Sequence, residues 1–337
     1  MNTKLYTGNG GTNAITGVGF EPSLTWLKCR SNLESNELYD AVRGVTKSIK
    51  SDTTGAESTQ STALTSFNSD GFTLGNDFEV NASGRTFASW NWKANGAGSS
   101  NTDGSITSTV SANTTSGFSI VKYVGSSTNP STVGHGLGTA PSMIIVKNTS
   151  TSGRDWVIWH KALGGASSTG DLLLFTNDAK ITASGYWGSY APSSTTFGVG
   201  NTNNNNASGE NHIAYCFAEK TGFSKFGSYV GNGNADGTFV YTGFKPAFVL
   251  VKATSISGES WQLNDTKRKT FNVNSTSLFP NLSNAESSTA MYVDMLSNGF
   301  KARETGNGVN GSGVSYIYMA FAEAPLVGTN NVPCTAR

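Results

Sequence analysis

Few side chains in this 337-residue sequence could do acid–base or metal chemistry. His135, His160 and His212 are scattered, and none stands near a cysteine and an acid in the spacing of a nucleophilic triad, so they read as polar strand and loop residues. His135 lies in Gly134-His-Gly-Leu-Gly138, which imitates a phosphate loop but lacks the following Lys-Ser/Thr and reads as a hairpin approach to Pro141. Cys29, Cys216 and Cys334 are odd in number and far apart, which predicts free thiols and no zinc site. Glu219 and Glu323 recur at the ends of matching segments and would suit a glycan-cleaving carboxylate pair. The matching position of the first segment is Ala94, which favours a structural role at a strand end. Asn232-Gly-Asn-Ala-Asp236-Gly237 resembles the opening of a calcium loop, but Gly243 stands where the closing carboxylate belongs, so a hairpin turn is expected near Asn232–Asp236. Asp155 and Asp265 flank tryptophans and could bond a backbone group or a sugar hydroxyl. No catalytic residue, cofactor or metal is expected.

Aromatic rings offer the better ligand hypothesis, because they give large contact area at small entropic cost and suit glycan faces or protein hot spots. Tyr123, Trp92, Phe217, Phe321 and Trp261 alternate with polar neighbours and are expected inside. Tyr186-Trp-Gly-Ser-Tyr190 lies in a Gly/Ser-rich stretch, so Tyr186, Trp187 and Tyr190, with Trp159, are expected at an exposed loop tip as the ligand-binding candidates. The Asn-x-Ser/Thr triplets at Asn81, Asn148, Asn206 and Asn274 carry no weight in a chain so rich in these residues.

The elements that must position these residues come in three copies. Pro22-Ser-Leu-Thr-Trp-Leu-Lys28, Pro141-Ser-Met-Ile-Ile-Val-Lys147 and Pro246-Ala-Phe-Val-Leu-Val-Lys252 share one Pro-to-Lys spacing. Ahead of each comes Tyr6-Thr-Gly, Tyr123-Val-Gly or Tyr229-Val-Gly, and each copy closes with Ser83-Gly84, Ser208-Gly209 or Ser312-Gly313 before an aromatic strand. A chain with such self-similarity is read repeat by repeat. Strand signals with turn residues between them predict an all-β protein of three tandem antiparallel sandwich-like repeats, each a separate bead. The boundaries are 1–95, 117–220 and 221–326, with a Gly/Ser/Thr/Asn-rich linker over 96–116 carrying one possible strand, and a tail over 327–337.

Composition agrees with that class. Gly, Ser, Thr and Asn disfavour helices, whereas 36% hydrophobic and 11% aromatic content is too high for a disordered chain. A net charge of +1 gives no field to steer nucleic acid or an anionic membrane. The apolar runs are far shorter than a membrane span, and the N-terminus lacks an apolar signal region, so a soluble protein without a secretion signal or membrane insertion is expected.

The segments Tyr6-Thr-Gly-Asn-Gly-Gly11, Ser69-Asp-Gly-Phe-Thr-Leu-Gly75, Trp90-Asn-Trp-Lys93, Gly117-Phe-Ser-Ile-Val121, Val133-Gly-His-Gly-Leu-Gly138 and Tyr318-Met-Ala-Phe-Ala-Glu323 resemble a repeat family of bacteriophage virion structural proteins. The resemblance implies a virion component assembled in the host cytoplasm, with other virion proteins and a host surface glycan or protein as partners. It points to a non-enzymatic tail fibre or appendage, with a capsid or tail decoration protein as the alternative; a glycan-degrading enzyme, resting only on Glu219, Glu323 and the aspartates, is the remote reading. A homotrimer is the expected assembly. Because the first copy starts by Tyr6 with no anchoring domain ahead of it, attachment would use a repeat face, the 327–337 tail or another protein.

Overall fold

The computed structural model describes residues 1–164, 171–289 and 292–322. The chain is almost entirely antiparallel β-structure, relieved by a four-residue helix at Phe78–Asn81 and a 3-10 turn at Lys161–Leu163. No helix among the described residues is long and apolar enough to cross a membrane.

One pairing order occurs in all three thirds. In the first, Asn2–Thr7 lies beside Thr86–Trp92, then Leu24–Cys29, then Asn36–Asp40. In the second the order is Phe118–Val124, Asn211–Phe217, Met143–Asn148, Val157–His160, and in the third Ser224–Val230, Ser315–Ala322, Pro246–Ala253, Gln262–Asp265. The registers match as well: Leu24 faces Trp92 and Asp40, Met143 faces Phe217 and His160, and Phe248 faces Phe321 and Asp265. Each sheet is closed by a smaller one, led by Asn13–Thr16 against Gly71–Leu74, Ser131–Gly134 against Thr196–Val199, and Phe239–Tyr241 against Gly299–Ala302.

Alternation along the central strands divides the core. Ile144 and Val146, or Val249 and Val251, point into a local core shared with the smaller sheet of the same third. Met143 and Ile145, or Phe248 and Leu250, point the other way, into one central cluster that also takes Leu24 and Trp26 from the first third. Because side chains alternate with a period of two, a strand apolar at every position must be buried on both faces.

The three thirds are therefore not separate beads. Trp92, Phe217 and Phe321 meet with ring centroids 6.0, 5.9 and 6.2 Å apart, one ring from each third. The bead expectation fails because a free-standing sandwich needs one apolar face per sheet, and these sheets have two.

Residues 96–116 differ from the expected linker too. Ser108–Asn113 is a strand that pairs onto Phe118–Val124, and Ser99–Asn101 pairs onto its far side, so the two widen the second sheet. Val110 is buried there and Ser111 accepts the Asn95 N–H at 2.8 Å, so the polar composition hid an amphipathic hairpin. The 327–337 tail and Cys334 lie outside the described residues, as does Glu323.

Candidate functional site: an axial cleft between three sectors

Two rings of cross-sector hydrogen bonds surround the central cluster. Asn36 pairs with Lys28, and Trp156 and Trp261 each stand one residue before the last pairs of their ladders, Val146 with Val157 and Val251 with Gln262. Trp156 donates its indole N–H to the Lys50 carbonyl of the first third at 2.9 Å, and Trp261 donates to Leu174 of the second at 2.8 Å. Asn36 completes the circuit by donating to Phe279 and Leu282 of the third at 3.1 and 2.8 Å. The second ring uses Asp40, His160 and Asp265: Tyr215 donates to Asp40 at 2.8 Å, Trp90 donates to Asp265 at 3.1 Å, and His160 Nε2 donates to the Tyr318 carbonyl at 3.3 Å.

Beside the first ring, the three loops that follow the accepting carbonyls frame a cleft of about 520 Å³. Asp52 and Thr54 come from one sector, Asp155, Phe175 and Asn177 from the next, and Asn281 from the last. Several of its polar groups are engaged. Ser51 donates to the Pro280 carbonyl at 2.6 Å, Asp52 accepts the Asn36 N–H at 2.8 Å, and Asn281 accepts the Trp261 N–H at 3.0 Å. The cleft offers hydroxyl, amide and carboxylate groups around Trp156 and Phe175, which suits a small polar ligand such as a sugar unit. No histidine or thiol among the described residues lines it.

Elsewhere the three histidines and Cys216 are turned inward. His160 and His212 are completely buried, and burial lowers their pKa values to about 3 and about 4. His160 Nδ1 accepts the Ala162 N–H at 3.2 Å while Nε2 donates to Tyr318, which fixes a neutral tautomer. His135 accepts the Leu137 N–H and lies against the Ser193 carbonyl, and burial lowers its pKa as well. Burial also raises the Cys216 thiol pKa far above its ordinary value.

Among the described residues, Glu37 and Glu79 form a carboxyl pair with opposed shifts, the signature of an acid and a base. Burial raises Glu37 to about 8, while Glu79, beside Glu37 and bonded by Lys50, is lowered. Glu37 is sealed from solvent, bonded by Tyr39 and by Ser48 at 3.0 Å, so no substrate reaches it.

Glu219 is spent on Lys161 and Lys225 at 2.6 and 2.7 Å. Asp265 is spent on Arg268 and Trp90. In the calcium-like segment, Asn232 and Asn234 accept the N–H groups of Asn234 and Asp236 at 3.0 and 2.9 Å, and Asp236 pairs with Lys301 and Arg303. No cluster of His, Cys, Asp or Glu among the described residues could hold a metal.

The expected aromatic loop tip is not where the rings lie. Trp159 and Trp187 are 5% and 3% exposed, inside the second local core, and Tyr186 packs against it half-buried. Gly188 makes a tight left-handed turn, and Asn205 donates to the Tyr186 carbonyl at 2.6 Å, folding the segment back onto the protein. Tyr190 alone is exposed. A Gly/Ser-rich setting implied a free loop; the rings supplied the apolar area to dock it.

Three buried asparagines were missed. Asn81, Asn206 and Asn310 stand three residues before the closing Gly84, Gly209 and Gly313. Each accepts the backbone N–H of the residue three beyond the leading tyrosine: Asn9, Ser126 and Asn232, at 3.1, 2.8 and 3.1 Å. Each donates onward to two carbonyls, Gly11 and Gly75, Thr128 and Gly200, or Asn234 and Glu304. The same loop needs Gly8, Gly125 and Gly231, where a Cβ would lie 2.2, 2.2 and 2.3 Å from a carbonyl oxygen. The recurring Asn-Ala-Ser-Gly, Asn-Ala-Ser-Gly and Asn-Gly-Ser-Gly strings were the available signal, obscured because all three double as Asn-x-Ser glycosylation triplets.

No curated protein and no solved structure matches the chain. One family model does, over residues 1–325, and it treats the three sectors as a single domain. The chain thus belongs to the family described as a domain of unknown function, DUF7483.

Proposed function

We propose that the chain is a non-enzymatic structural protein of a bacteriophage particle, a tail-fibre or appendage component that contacts the host surface. The observation that carries this reading is the inward use of its chemistry: Asp40, Asp265, His160 and Glu37 serve buried contacts and Glu219 is held by two lysines, while the three sectors close into rings. A virion part needs resistance to unfolding more than turnover, and its working stability is the rate at which it unfolds. The motif resemblance supplies the virion context. In this reading one chain provides the threefold arrangement for which a homotrimer was expected, and the axial cleft is the place for a weak glycan contact strengthened by many copies per particle.

One observation favours a decoration protein as the second reading: a chain with approximate threefold symmetry fits a threefold position on a particle. Competition separates the two. Excess purified protein blocks adsorption of labelled particles to host cells if the chain is an adhesin, and the Asp52→Asn/Asp155→Asn double variant blocks less well. Unchanged adsorption under saturating wild-type protein contradicts the adhesin reading. Release of reducing ends from host polysaccharide would contradict the non-enzymatic one.

A further inference from the structure

The geometry points to the free edge of the strand Phe239–Tyr241 as a docking site for an extended, uncharged segment of a partner protein with a β-branched residue at its centre. The equivalent strands are Asn13–Thr16 and Ser131–Gly134, since Ile15, Val133 and Val240 face Phe72, Phe197 and Phe300. In the second third this edge is already covered by the chain itself. Ile106 bridges Val133 in the parallel sense and donates its N–H to the Thr132 carbonyl at 3.0 Å. Ser105 Oγ accepts the Thr132 N–H at 2.9 Å, and Ser108 Oγ donates to the Gly134 carbonyl at 3.2 Å. These residues belong to the 96–116 insertion that lengthens the second third relative to the last.

Phe239–Tyr241 has no such cover among the described residues; Gly299–Ala302 is its sole strand neighbour. The Ala302 N–H bonds the Thr238 carbonyl and the Thr242 N–H bonds the Asn298 carbonyl, at 3.1 and 3.0 Å. Alternation along an antiparallel ladder then turns the amides of Phe239 and Tyr241 outward.

Side chains at this edge give the second, independent observation. The positions flanking the central aliphatic residue are Ala14 and Thr16 in the first third and Thr132 and Gly134 in the second. In the last third they are Phe239 and Tyr241, 44% and 64% exposed. The fold is built twice without rings here, so stability does not require them. Thr238–Thr242 also lacks the charges and prolines with which exposed edges resist pairing.

Charge and shape define the occupant. Lys301 and Arg303 are paired with Asp236, and Arg303 also approaches Asp294, so the surface beside the edge presents no unbalanced charge. A docked segment in the register of residues 104–107 places its central side chain where Ile106 sits in the second third, over Val240, and its neighbours beside the two rings. This surface is independent of the axial cleft and of the adhesin reading.

The probe is a capped synthetic peptide of residues 104–110, Gly-Ser-Ile-Thr-Ser-Thr-Val, added at millimolar concentration to the full chain while amide exchange is followed by NMR. Exchange at Phe239 and Tyr241 is expected to slow by about fivefold or more, with the amides of Ala14 and Thr132 unaffected. Two controls are expected to lose the effect: a peptide with Lys in place of the isoleucine, and the protein variant Tyr241→Pro, which removes an outward amide and spares the Val240–Phe300 pairing. No slowing, equal slowing by the Lys peptide, or slowing by a host glycan instead of the peptide would overturn the inference.

Discussion

Tyr215 and Asp40 lie 175 residues apart, and the phenol of one donates to the carboxylate of the other at 2.8 Å, joining the second sector to the first. Asp40 is completely buried and also holds Arg43 at 2.5 Å. A charge so placed is tolerated only while its hydrogen-bond partners are kept. Sector contact and local folding are thus one event.

Tyr215→Phe removes this bond and leaves the ring. The expected cost is about 1–3 kcal/mol, read as a lower urea midpoint at unchanged slope. A slope that falls instead would mean the sectors had come apart before unfolding.

Phe217→Ala opens a cavity where three rings meet and is expected to cost about 3–5 kcal/mol. Trp92→Ala is expected to cost a similar amount. Because the two rings are 6.0 Å apart, the double variant should depart from additivity by about 0.5–3 kcal/mol in a double-mutant cycle. Additive losses would contradict a shared core.

Asn310→Ala strands the Asn232 N–H and the carbonyls of Asn234 and Glu304. Faster amide exchange confined to about residues 232–238 is expected, with a loss of about 1–3 kcal/mol. Asn81→Ala and Asn206→Ala should act alike on their own loops, since each asparagine holds the same turn in its sector.

Lys28, Lys147 and Lys252 are buried, with Nζ turned to backbone carbonyls that include Glu34, Arg154 and Glu259. Burial lowers all three to about 8 from an ordinary 10.5. Between those values the unfolded chain binds more protons than the folded one, so stability rises with pH from about 8 upward. The gain is measurable to about pH 9.5, above which tyrosines ionise in the unfolded state. Urea midpoints that rise over this window in the wild type, and rise less in Lys147→Met, are the expected result; a flat wild-type profile is the contrary one.

Much of the fold was legible because strand chemistry is local. The Pro-to-Lys strands and the Tyr-x-Gly turns could be read from period and punctuation. What escaped depended on which face meets which. Trp159 and Trp187 looked like loop aromatics, yet their area docks the segment that bears them. The axial cleft joins Asp52, Asp155 and Asn281, residues that no sequence window holds together. Both faces of Met143–Val146 read as apolar, and that was the missed indication that the sheets pack on one another.

Scanning calorimetry of the intact chain tests most directly whether these sectors form one cooperative body. A single transition whose calorimetric and van't Hoff enthalpies agree is predicted. Resolved transitions, or a calorimetric enthalpy about three times the van't Hoff value, would show three independent domains and contradict the account.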